Sequence, residues 1–505
     1  MNAKTGSTGE QKEVAMDADV IVVGAGPAGL MLAGELRLAG VPVVLIERLE
    51  RPTGESRGLG FTARTMEILD QRGLLAEYGE IVTSPHGHFG GLPVDFSVLD
   101  GIHFSANGVS QAKTEEILAK WATGLGADIR RGWELTGLSD DGTAVTAEVD
   151  TPDGLRRLRA RYLIGCDGGR STVRKLAGFE FPGSEPTLEM FLADVAGCAL
   201  RPRPIGERVP GGMAMSAPIG GGVDRVIVCE RGDPPVERDG PPPFGEIAEA
   251  WSRLTGEDIG GGDPLWTSSF TDSARQATTY RRGRVLLAGD AAHIHLPAGG
   301  QGLNVGLQDA LNLGWKLGAV VRGRAPESLL DTYHGERHPV GERLLMNTQA
   351  QGLLFLSGKE VEPLREVMGE LMAIDEVNRH LVGMISGLEI RYDLGPGEHP
   401  LLGRRLPPRE LVVADEKTST TELLREGRGI LLDVGAGAGA GAWAQAGPWA
   451  DRVDVVTASL TEDDTGDVLR QAGAVLVRPD GYVGWVAAAP GESLTTALTR
   501  WFGPA

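Results

Sequence analysis

The chain has 505 residues, enough for roughly three domains of ordinary size. Its hydrophobic content of 41% is typical of a folded protein and excludes disorder along the whole chain. The formal net charge of −20 argues against nucleic acid or an anionic membrane as the main partner, because like charges repel. The negative net charge does not exclude a nicotinamide cofactor, because its phosphate could bind in one local basic pocket.

The spacing of the cysteines and the length of the apolar segments indicate in which cellular compartment the protein is expected. Cys166, Cys198 and Cys229 form no CxxC pair, so neither a disulfide framework nor a zinc site is expected. The polar residues 1–16 predict a flexible leader without a signal core, and the apolar runs are too short to cross a bilayer. We therefore expect a cytoplasmic protein with no membrane partner.

The first ordered unit is a predicted β-turn-α-β segment. Residues 19–23 form a predicted strand, the motif GAGPAG follows, and a helix over 30–39 leads to a buried strand over 41–46. This order of elements is typical of dinucleotide-binding folds. The 74 glycines of the chain fit the tight turns and close backbone approaches that such folds need.

The glycines of GAGPAG have separate roles in this interpretation. Gly24 permits the turn, Gly26 lets the backbone approach a pyrophosphate, and Gly29 allows close helix–strand packing. Glu47, at the end of the second strand, is placed to accept a hydrogen bond from a ribose hydroxyl. A lone GxGxxG is also compatible with a structural turn, but strand, turn, helix, strand and acid together predict dinucleotide binding.

A second motif, DGGRSTVR, begins at Asp167 after a predicted strand over 160–165. It supplies a carboxylate, a flexible turn and two guanidinium groups close together. These groups could serve a binding site. The alternative is a purely structural role, in which the motif caps the start of a helix and the arginines lie at the surface.

Residues 178–271 differ in character from the flanking sequence. Pro- and Gly-rich connectors separate short alternating segments such as 225–229, which predicts an antiparallel sheet. We interpret this segment as a middle domain, inserted into a nucleotide-binding domain over 17–177 and 272–395.

The third motif follows a predicted strand over 284–288. Asp290 at the strand end could bind a polyol hydroxyl, and the backbone N–H groups of residues 302–304 are predicted to open a helix over 305–321. Such a helix N-terminus stabilises negative charge, for example on a reduced flavin ring. A purely structural Gly-rich turn is the alternative.

We predict no metal site. The HxH pairs His86/His88 and His293/His295 lack acidic or cysteine partners at suitable spacing, and His293 already belongs to the third motif.

The three motifs together resemble, over residues 17–386, the class A flavoprotein monooxygenases of the para-hydroxybenzoate hydroxylase type. The resemblance implies an α/β fold with a Rossmann-like FAD-binding domain and an inserted antiparallel-sheet substrate domain. A closer resemblance, to the aromatic polyketide hydroxylases, implies a C-terminal thioredoxin-like domain over 396–505. This domain contains no CxxC and no cysteine, so we expect a role in packing or dimer support rather than thiol redox chemistry.

The resemblance also implies which residues form the site. Asp167 is associated with both FAD and NAD(P)H, and the backbone carbonyl of Pro297 faces the substrate beside the flavin. Phe89, Phe96 and Trp266 are candidates for the substrate walls, and the alternative for each of them is a place in the hydrophobic core. The implied FAD contacts are Gly24, Gly26, Gly29, Glu47, Arg57, Gln111, Asp290, Gly302, Leu303 and Asn304.

The stretches ESRGLGFTARTMEILDQRGLL, AHIHLPAGGQGLN and VLVRPDGYVGWV resemble aromatic polyketide hydroxylases, above all the angucycline oxygenases that act at C-12 and C-12b. This implies an FAD-dependent enzyme of antibiotic biosynthesis that consumes NADPH and O₂ and hydroxylates an angucyclinone through a flavin C4a-hydroperoxide. Relatives are often dimers, so a homodimer is compatible. The alternatives are a Baeyer–Villiger oxygenase on a related polyketide and a non-catalytic flavin-binding sensor or scaffold.

Overall fold

The computed structural model describes residues 16–99, 105–232, 234–238, 240–394, 397–435, 445–461, 467–489 and 491–505. The leader predicted over 1–16 lies outside the described residues except for Met16. None of the helices in the described ranges combines the length and apolar character needed to cross a bilayer.

The chain up to residue 177 supplies most of a first α/β unit. Its strands are β1 (Val20–Val23), β2 (Val43–Glu47), β3 (Gly60–Phe61), β4 (Val82–Ser84), β5 (His86–Phe89), β6 (Leu92–Asp95), β7 (Ser105–Asn107), β8 (Asp128–Arg131), β9 (Glu134–Asp140), β10 (Val145–Asp150), β11 (Arg156–Ala160) and β12 (Tyr162–Gly165). Its helices are α1 (Pro27–Leu38), α2 (Ala63–Gln71), α3 (Gln111–Gly124) and α4 (Thr172–Leu176).

The next segment contains β13 (Gly183–Ser184), β14 (Glu189–Ala196), β15 (Arg203–Val209), β16 (Gly212–Gly220), β17 (Val223–Glu230), α5 (Phe244–Thr255) and β18 (Asp263–Thr271). The chain then returns to the first unit through β19 (Ala274–Gln276), β20 (Arg281–Arg282), β21 (Val285–Leu287), β22 (His293–Ile294), α6 (Gln301–Val321), α7 (Asp331–Leu356), α8 (Glu362–Met372) and α9 (Asp375–Ser386).

The last unit contains β23 (Glu410–Val413), β24 (Glu416–Ser419), β25 (Gly429–Asp433), β26 (Val453–Thr457), β27 (Ser459–Leu460), α10 (Val468–Ala472), β28 (Ala474–Val477), β29 (Val483–Val486) and α11 (Leu494–Phe502).

A six-stranded sheet in the order β20-β21-β12-β1-β2-β8 organises the first unit. Strands β21, β12, β1, β2 and β8 are parallel, and β20 is an antiparallel edge strand. Every residue of β1 is buried, as expected for a strand covered by helices on both faces. Helix α1 starts with Pro27, whose fixed φ suits the first helical turn. The α/β class predicted from the sequence is confirmed.

The second sheet is antiparallel, in the order β15-β16-β17-β14-β18. Because side chains alternate along a strand, Ala193, Val226 and Val228 pack against α5, while the opposite face turns toward the first unit. This sheet lies inside the segment predicted as a middle domain. The exact bounds of the three domains stay a prediction.

The C-terminal unit has a mixed four-stranded sheet in the order β26-β25-β28-β29. Strands β25 and β26 are parallel, whereas β25/β28 and β28/β29 are antiparallel. A buried guanidinium attaches this unit to the first: Arg478 forms two 2.7 Å contacts with Glu336 of α7 and one of 2.5 Å with Asp480. The carbonyl of Asp480 also accepts a hydrogen bond from Arg64 of α2, at 2.9 Å.

We expect Arg478→Met to destabilise the protein by about 3–5 kcal/mol, because buried Asp480 loses its cation and buried Glu336 keeps only that of Lys316. The matched control is Arg157→Met. Arg157 pairs with Glu148 at the surface, with 72% of its side chain exposed, so its loss should cost less than about 1 kcal/mol. Differential scanning calorimetry of both variants measures the difference. Equal melting temperatures would contradict a stabilising role for the buried cluster.

The same cluster predicts a pH dependence. Burial alone would raise the pKa of Glu336, but the cations of Arg478 and Lys316 lower it below its ordinary value of 4.5. A carboxyl with a depressed pKa in the folded state contributes stability above its unfolded pKa and loses that contribution as the pH falls. The stability difference between wild type and Glu336→Gln should therefore be constant above about pH 5 and shrink below pH 4.5, measured by urea unfolding. A difference that grows on acidification would refute this assignment.

Candidate functional site

The GAGPAG turn is shaped by close backbone contacts. Gly24 has a φ of +104°, and a Cβ there would lie 2.5 Å from the carbonyl oxygen of Cys166. A Cβ at Gly29 would lie 2.0 Å from the carbonyl oxygen of Gly24. At Gly26, the N-cap of α1, a Cβ would meet no atom within 4 Å. The turn is therefore closed on its protein side and open at the helix N-terminus, where a pyrophosphate needs room.

Glu47 lies at the end of β2, next to this turn. Its Oε2 accepts a hydrogen bond from the N–H of Ala25 at 2.8 Å, and its Oε1 accepts one from the N–H of Leu49 at 2.9 Å. Each carboxylate oxygen keeps a lone pair for a further donor, so a ribose diol can still bind.

Arg57 and Gln111 are brought together by a loop that crosses the start of α3. The N–H of Gln111 donates to the carbonyl of Gly58 at 3.2 Å, and the Ser56 hydroxyl accepts from the N–H of Ala112 at 3.0 Å. The side chain of Gln111 donates to Glu115 at 2.8 Å. The Nε of Arg57 donates to Ser268 of the antiparallel sheet at 3.2 Å.

Asp290 follows β21 and lies in a recess. The residue is solvent-accessible, yet the surrounding protein raises its pKa, while His293 and Arg57 oppose the rise. A Cβ at Gly302 would lie 3.9 Å from Oδ1 of Asp290 and 3.2 Å from Nε2 of His295. The carboxylate is thus beside the first turn of α6 and within the influence of Arg57.

Helix α6 starts at Gln301, so the predicted start at residue 305 is wrong. Gly300, with a φ of +64°, is the N-cap, and such left-handed backbone favours glycine. The free N–H groups are therefore those of residues 301–303, and the N–H of Asn304 falls where intrahelical bonding begins. The Asn304 side chain instead accepts from the N–H of Thr62 at 2.9 Å and donates to the carbonyl of Gly300 at 2.8 Å.

The first and third motifs contact each other directly. A Cβ at Gly289, whose φ is +60°, would lie 3.2 Å from Cβ of Ala28 in α1. A Cβ at Gly306 in α6 would lie 3.3 Å from Cα of Gly289. The N-termini of α1 and α6 are therefore held next to one turn.

The carboxylate of Asp167 caps α4, as the alternative interpretation of its motif expects. It accepts from the Ser171 hydroxyl at 2.5 Å and from the N–H groups of Thr172 and Val173 at 2.7 and 3.0 Å. Arg174 ties this loop to the Asp290 segment, since its Nη1 donates to the carbonyl of Ala291 at 2.9 Å. A cofactor contact of Asp167 stays a prediction.

The sequence analysis missed the charged residues beneath the site. Asp309 of α6 accepts from the N–H of Gly289 at 3.1 Å, contacts Nε2 of His293 at 2.8 Å, and pairs with Nε of Arg337 at 2.6 Å. Burial alone would raise the pKa of Asp309, but Arg337 and His293 lower it. The available signal was a carboxylate flanked by apolar residues within a helix, because a buried carboxylate requires a partner.

The antiparallel sheet presents an apolar wall to the first unit. Its side chains pack with those of Leu296, Ala298 and Phe355. Met190, Met213 and Cys229 of the sheet are buried in this packing, whereas Met215, Ile227 and Phe270 are only partly buried and form the accessible part of the wall. Pro297 lies exposed beside the wall, and its carbonyl accepts one hydrogen bond, from the N–H of Gly300 at 3.1 Å.

For two of the three candidate wall residues, the wall prediction is wrong and the alternative, a place in the core, is correct. Phe89 and Phe96 are buried in a separate core with Leu354 and Val382, because their hairpin packs on α7 and α9. Trp266 does lie on β18, where its Nε1 donates to Asp194 at 2.6 Å.

Comparisons with known proteins agree with this geometry. Residues 17–348 match the family described as "FAD binding domain", and residues 399–505 match "aromatic-ring hydroxylase, C-terminal". The chain belongs to the FAD-dependent aromatic-ring hydroxylases. The glycine cradle, Glu47, Asp290 and the open N-terminus of α6 fit FAD, so the predicted cofactor is confirmed.

This hydroxylase is similar to the following three proteins over nearly its whole length. A 12-dehydrotetracycline 5-monooxygenase/anhydrotetracycline 6-monooxygenase from Streptomyces rimosus subsp. rimosus is 45% identical, over 97% of this chain and 99% of that protein. A rifampicin monooxygenase from Streptomyces venezuelae is 46% identical, over 96% and 99%. The crystal structure of CabE, an aromatic hydroxylase from angucycline biosynthesis, has a TM-score of 0.94 and 63% identity, covering 97% of this chain and 100% of that one. The chain is therefore a flavin-dependent monooxygenase, with NADPH as the reductant typical of the family.

We expect Asp290→Ala to weaken FAD binding about 10- to 100-fold, because hydrogen bonds to one charged acceptor are lost. Fluorescence titration of the apoprotein with FAD measures the dissociation constant. The matched control is Asp331→Ala, which removes an exposed carboxylate paired with Arg281. An unchanged FAD affinity in Asp290→Ala would remove Asp290 from the cofactor site.

Proposed function

We propose that this hydroxylase adds one oxygen atom to a phenolic ring of a polycyclic aromatic polyketide, an angucyclinone, in antibiotic biosynthesis. The observation that carries the proposal is the apolar wall of the antiparallel sheet opposite Pro297. A broad wall of this kind suits a flat, extended ligand better than a small monocyclic phenol. The activities named for the tetracycline and angucycline relatives support the same class of substrate.

Methionine gives the wall its adaptability. Met215 is partly exposed, unbranched and polarizable, so its thioether can follow the face of an aromatic ring, while Met190 and Met213 lie buried beneath the surface of the wall. Burial of the fused rings against this wall would exclude water from the reacting carbon.

Pro297 would orient the substrate. Its carbonyl oxygen accepts one hydrogen bond, from Gly300, and keeps a lone pair for a second donor. A phenolic hydroxyl that donates to this oxygen would fix the ring relative to the N-terminus of α6. In this arrangement Pro297 is the residue that contacts the substrate, and no side chain of the protein is required as a nucleophile.

FAD, when bound, takes reducing equivalents from NADPH and activates O₂ for transfer of one oxygen atom. The contribution of the chain is to bind and align it. Gly24, Gly26, Gly29 and Glu47 would hold the adenosine diphosphate half, and Arg57, Gln111 and Asp290 would hold the middle of the molecule. Gly302, Leu303 and Asn304 would lie against the flavin ring, where the free N–H groups of 301–303 favour negative charge.

Two further proposals concern the state of the protein. Cys166, Cys198 and Cys229 are all free, which supports a reducing cytoplasm. A homodimer is proposed from the resemblance alone.

The deciding experiment is NADPH consumption by the FAD-loaded enzyme with and without a tetracyclic angucyclinone, combined with mass spectrometry under ¹⁸O₂. We expect several-fold stimulation and a product with one ¹⁸O atom in a new hydroxyl or quinone. A lactone identified by NMR would establish a Baeyer–Villiger reaction instead, and no stimulation by any polycyclic phenol would refute the proposed substrate class.

A matched pair of variants tests the wall. Met215→Trp should fill the space above the sheet, raise KM and divert reducing equivalents to hydrogen peroxide. Leu265→Trp, on the same sheet but 58% exposed, should behave as wild type. Equal coupling in the two variants would place the substrate elsewhere.

A further inference from the structure

The β5–β6 hairpin borders the apolar wall at the edge strand β15. Phe355, near the C-terminal end of α7, contacts both: a Cβ at Gly91 of the hairpin would lie 2.6 Å from its ring, and a Cβ at Gly206 of β15 would lie 2.4 Å from it. The φ angles of these two residues, +77° and +78°, favour glycine. Because Phe355 itself packs in the wall, one aromatic ring joins the hairpin to the proposed substrate site.

His88 of β5 lies on the face of the hairpin that turns toward this ring. Side chains alternate along a strand, and the neighbouring Phe89 points into the separate core of α7 and α9. The imidazole of His88 instead lies beside Phe355, with 6.0 Å between the ring centroids and 41° between the ring planes. The side chain of His88 is therefore at the border of the wall.

The hydrogen bonding of His88 defines its free group. Its Nδ1 accepts a hydrogen bond from the N–H of Gly91 at 3.3 Å, so the proton of the neutral ring is on Nε2. Within the described ranges of the chain, this Nε2–H group has no hydrogen-bond partner, and it is not one of the buried polar atoms left without a partner. The donor is therefore accessible. Burial of the ring lowers the pKa of His88, so the imidazole is neutral at pH 7.

A chain of buried amides joins the hairpin to the loop before α6. The N–H of Gly90 donates to Oε1 of Gln351 at 3.2 Å, and Nε2 of Gln351 donates to Oδ1 of Asn347 at 3.0 Å. Asn347 then donates to Oε1 of Gln301 at 3.1 Å, and Gln301 donates to the carbonyl of Ala298 at 3.2 Å. The three amide residues are at most 4% exposed, so water does not compete for these bonds. The distance between the hairpin and the loop is thus fixed by side-chain hydrogen bonds.

This chain connects the two polar groups beside the wall. Ala298 directly follows Pro297, whose carbonyl oxygen is the proposed acceptor for a phenolic hydroxyl, and His88 lies two residues before Gly90. The amide chain therefore holds one acceptor and one neutral donor in a fixed relation. Beside aromatic and aliphatic side chains, such a pair selects a flat ligand that offers both a hydroxyl and a carbonyl.

We propose that His88 is a second substrate contact, in which its Nε2–H donates to a quinone or ketone oxygen of the polycyclic substrate. This inference rests on the proposed function and narrows the substrate class to aromatic polyketides that carry a carbonyl as well as a phenolic hydroxyl. A neutral N–H suits a neutral acceptor, whereas a carboxylate would bind more strongly to a cation. His88 thus selects which ring of the substrate lies beside Pro297, and it takes no part in the oxygen transfer itself.

The test compares two probes that share one phenolic hydroxyl and differ in their carbonyl groups, 2-hydroxyanthraquinone and 2-hydroxyanthracene. Isothermal titration calorimetry of the FAD-loaded enzyme without NADPH gives both dissociation constants. His88→Phe keeps a ring beside Phe355 but has no donor. We therefore expect its preference for the quinone, the ratio of the two constants, to fall about tenfold below that of wild type, the effect of one hydrogen bond. His88→Gln, whose amide donates, should regain part of the preference.

The matched control is His86→Phe, on the same strand and exposed, which should keep the wild-type ratio. An unchanged ratio in His88→Phe, or an equal fall in His86→Phe, would overturn the role of His88 and leave the proposed function intact. Failure of wild type to bind either probe would instead refute the proposed substrate class, and this inference with it. Retained FAD absorbance in each variant shows that it is folded.

Discussion

The site depends on one buried ion pair. Asp309 and Arg337 are inaccessible to solvent, and the carboxylate of Asp309 also holds the N–H of Gly289 and the ring of His293. Without this pair, a charge would remain in the interior with no water to stabilise it. The pair therefore fixes the turn that carries Asp290 against α6. Arg337 extends the support outward, because its Nη1 donates to the hydroxyl of Tyr392 at 2.9 Å.

The local elements could be predicted because their signals are local. The strand before GAGPAG, the helix after it and the acid at Glu47 lie within one short stretch of sequence, and the structure reproduces them. The start of α6 could not be predicted, since it depends on left-handed backbone at Gly300, which many glycines adopt without starting a helix. The partners of Asp309 were equally hidden, because Arg337 is brought to it by packing of α7 on α6. Phe89 and Phe96 carried no local signal that separates a core from a pocket wall.

The C-terminal unit, which has no cysteine, contributes buried charges to its neighbour. Arg478 and Asp480 reach between α2 and α7, so the charges that bind the unit in place also complete the interior of the flavin-binding part. Tyr482 of the same unit stacks on Tyr392 with 4.2 Å between ring centroids, next to Arg337. The C-terminal unit thus packs against Tyr392, which accepts a hydrogen bond from Arg337 of the buried ion pair.

The close contacts among Ala28, Gly289 and Gly306 limit how segments of this site can be exchanged between related enzymes. Only the Cβ of Ala28 lies between these backbones, so their fit depends on the exact path of each segment. The GAGPAG helix and the Asp290 segment must therefore be exchanged together in any recombinant of two such enzymes. In structural terms they form one unit, although they lie far apart in the sequence.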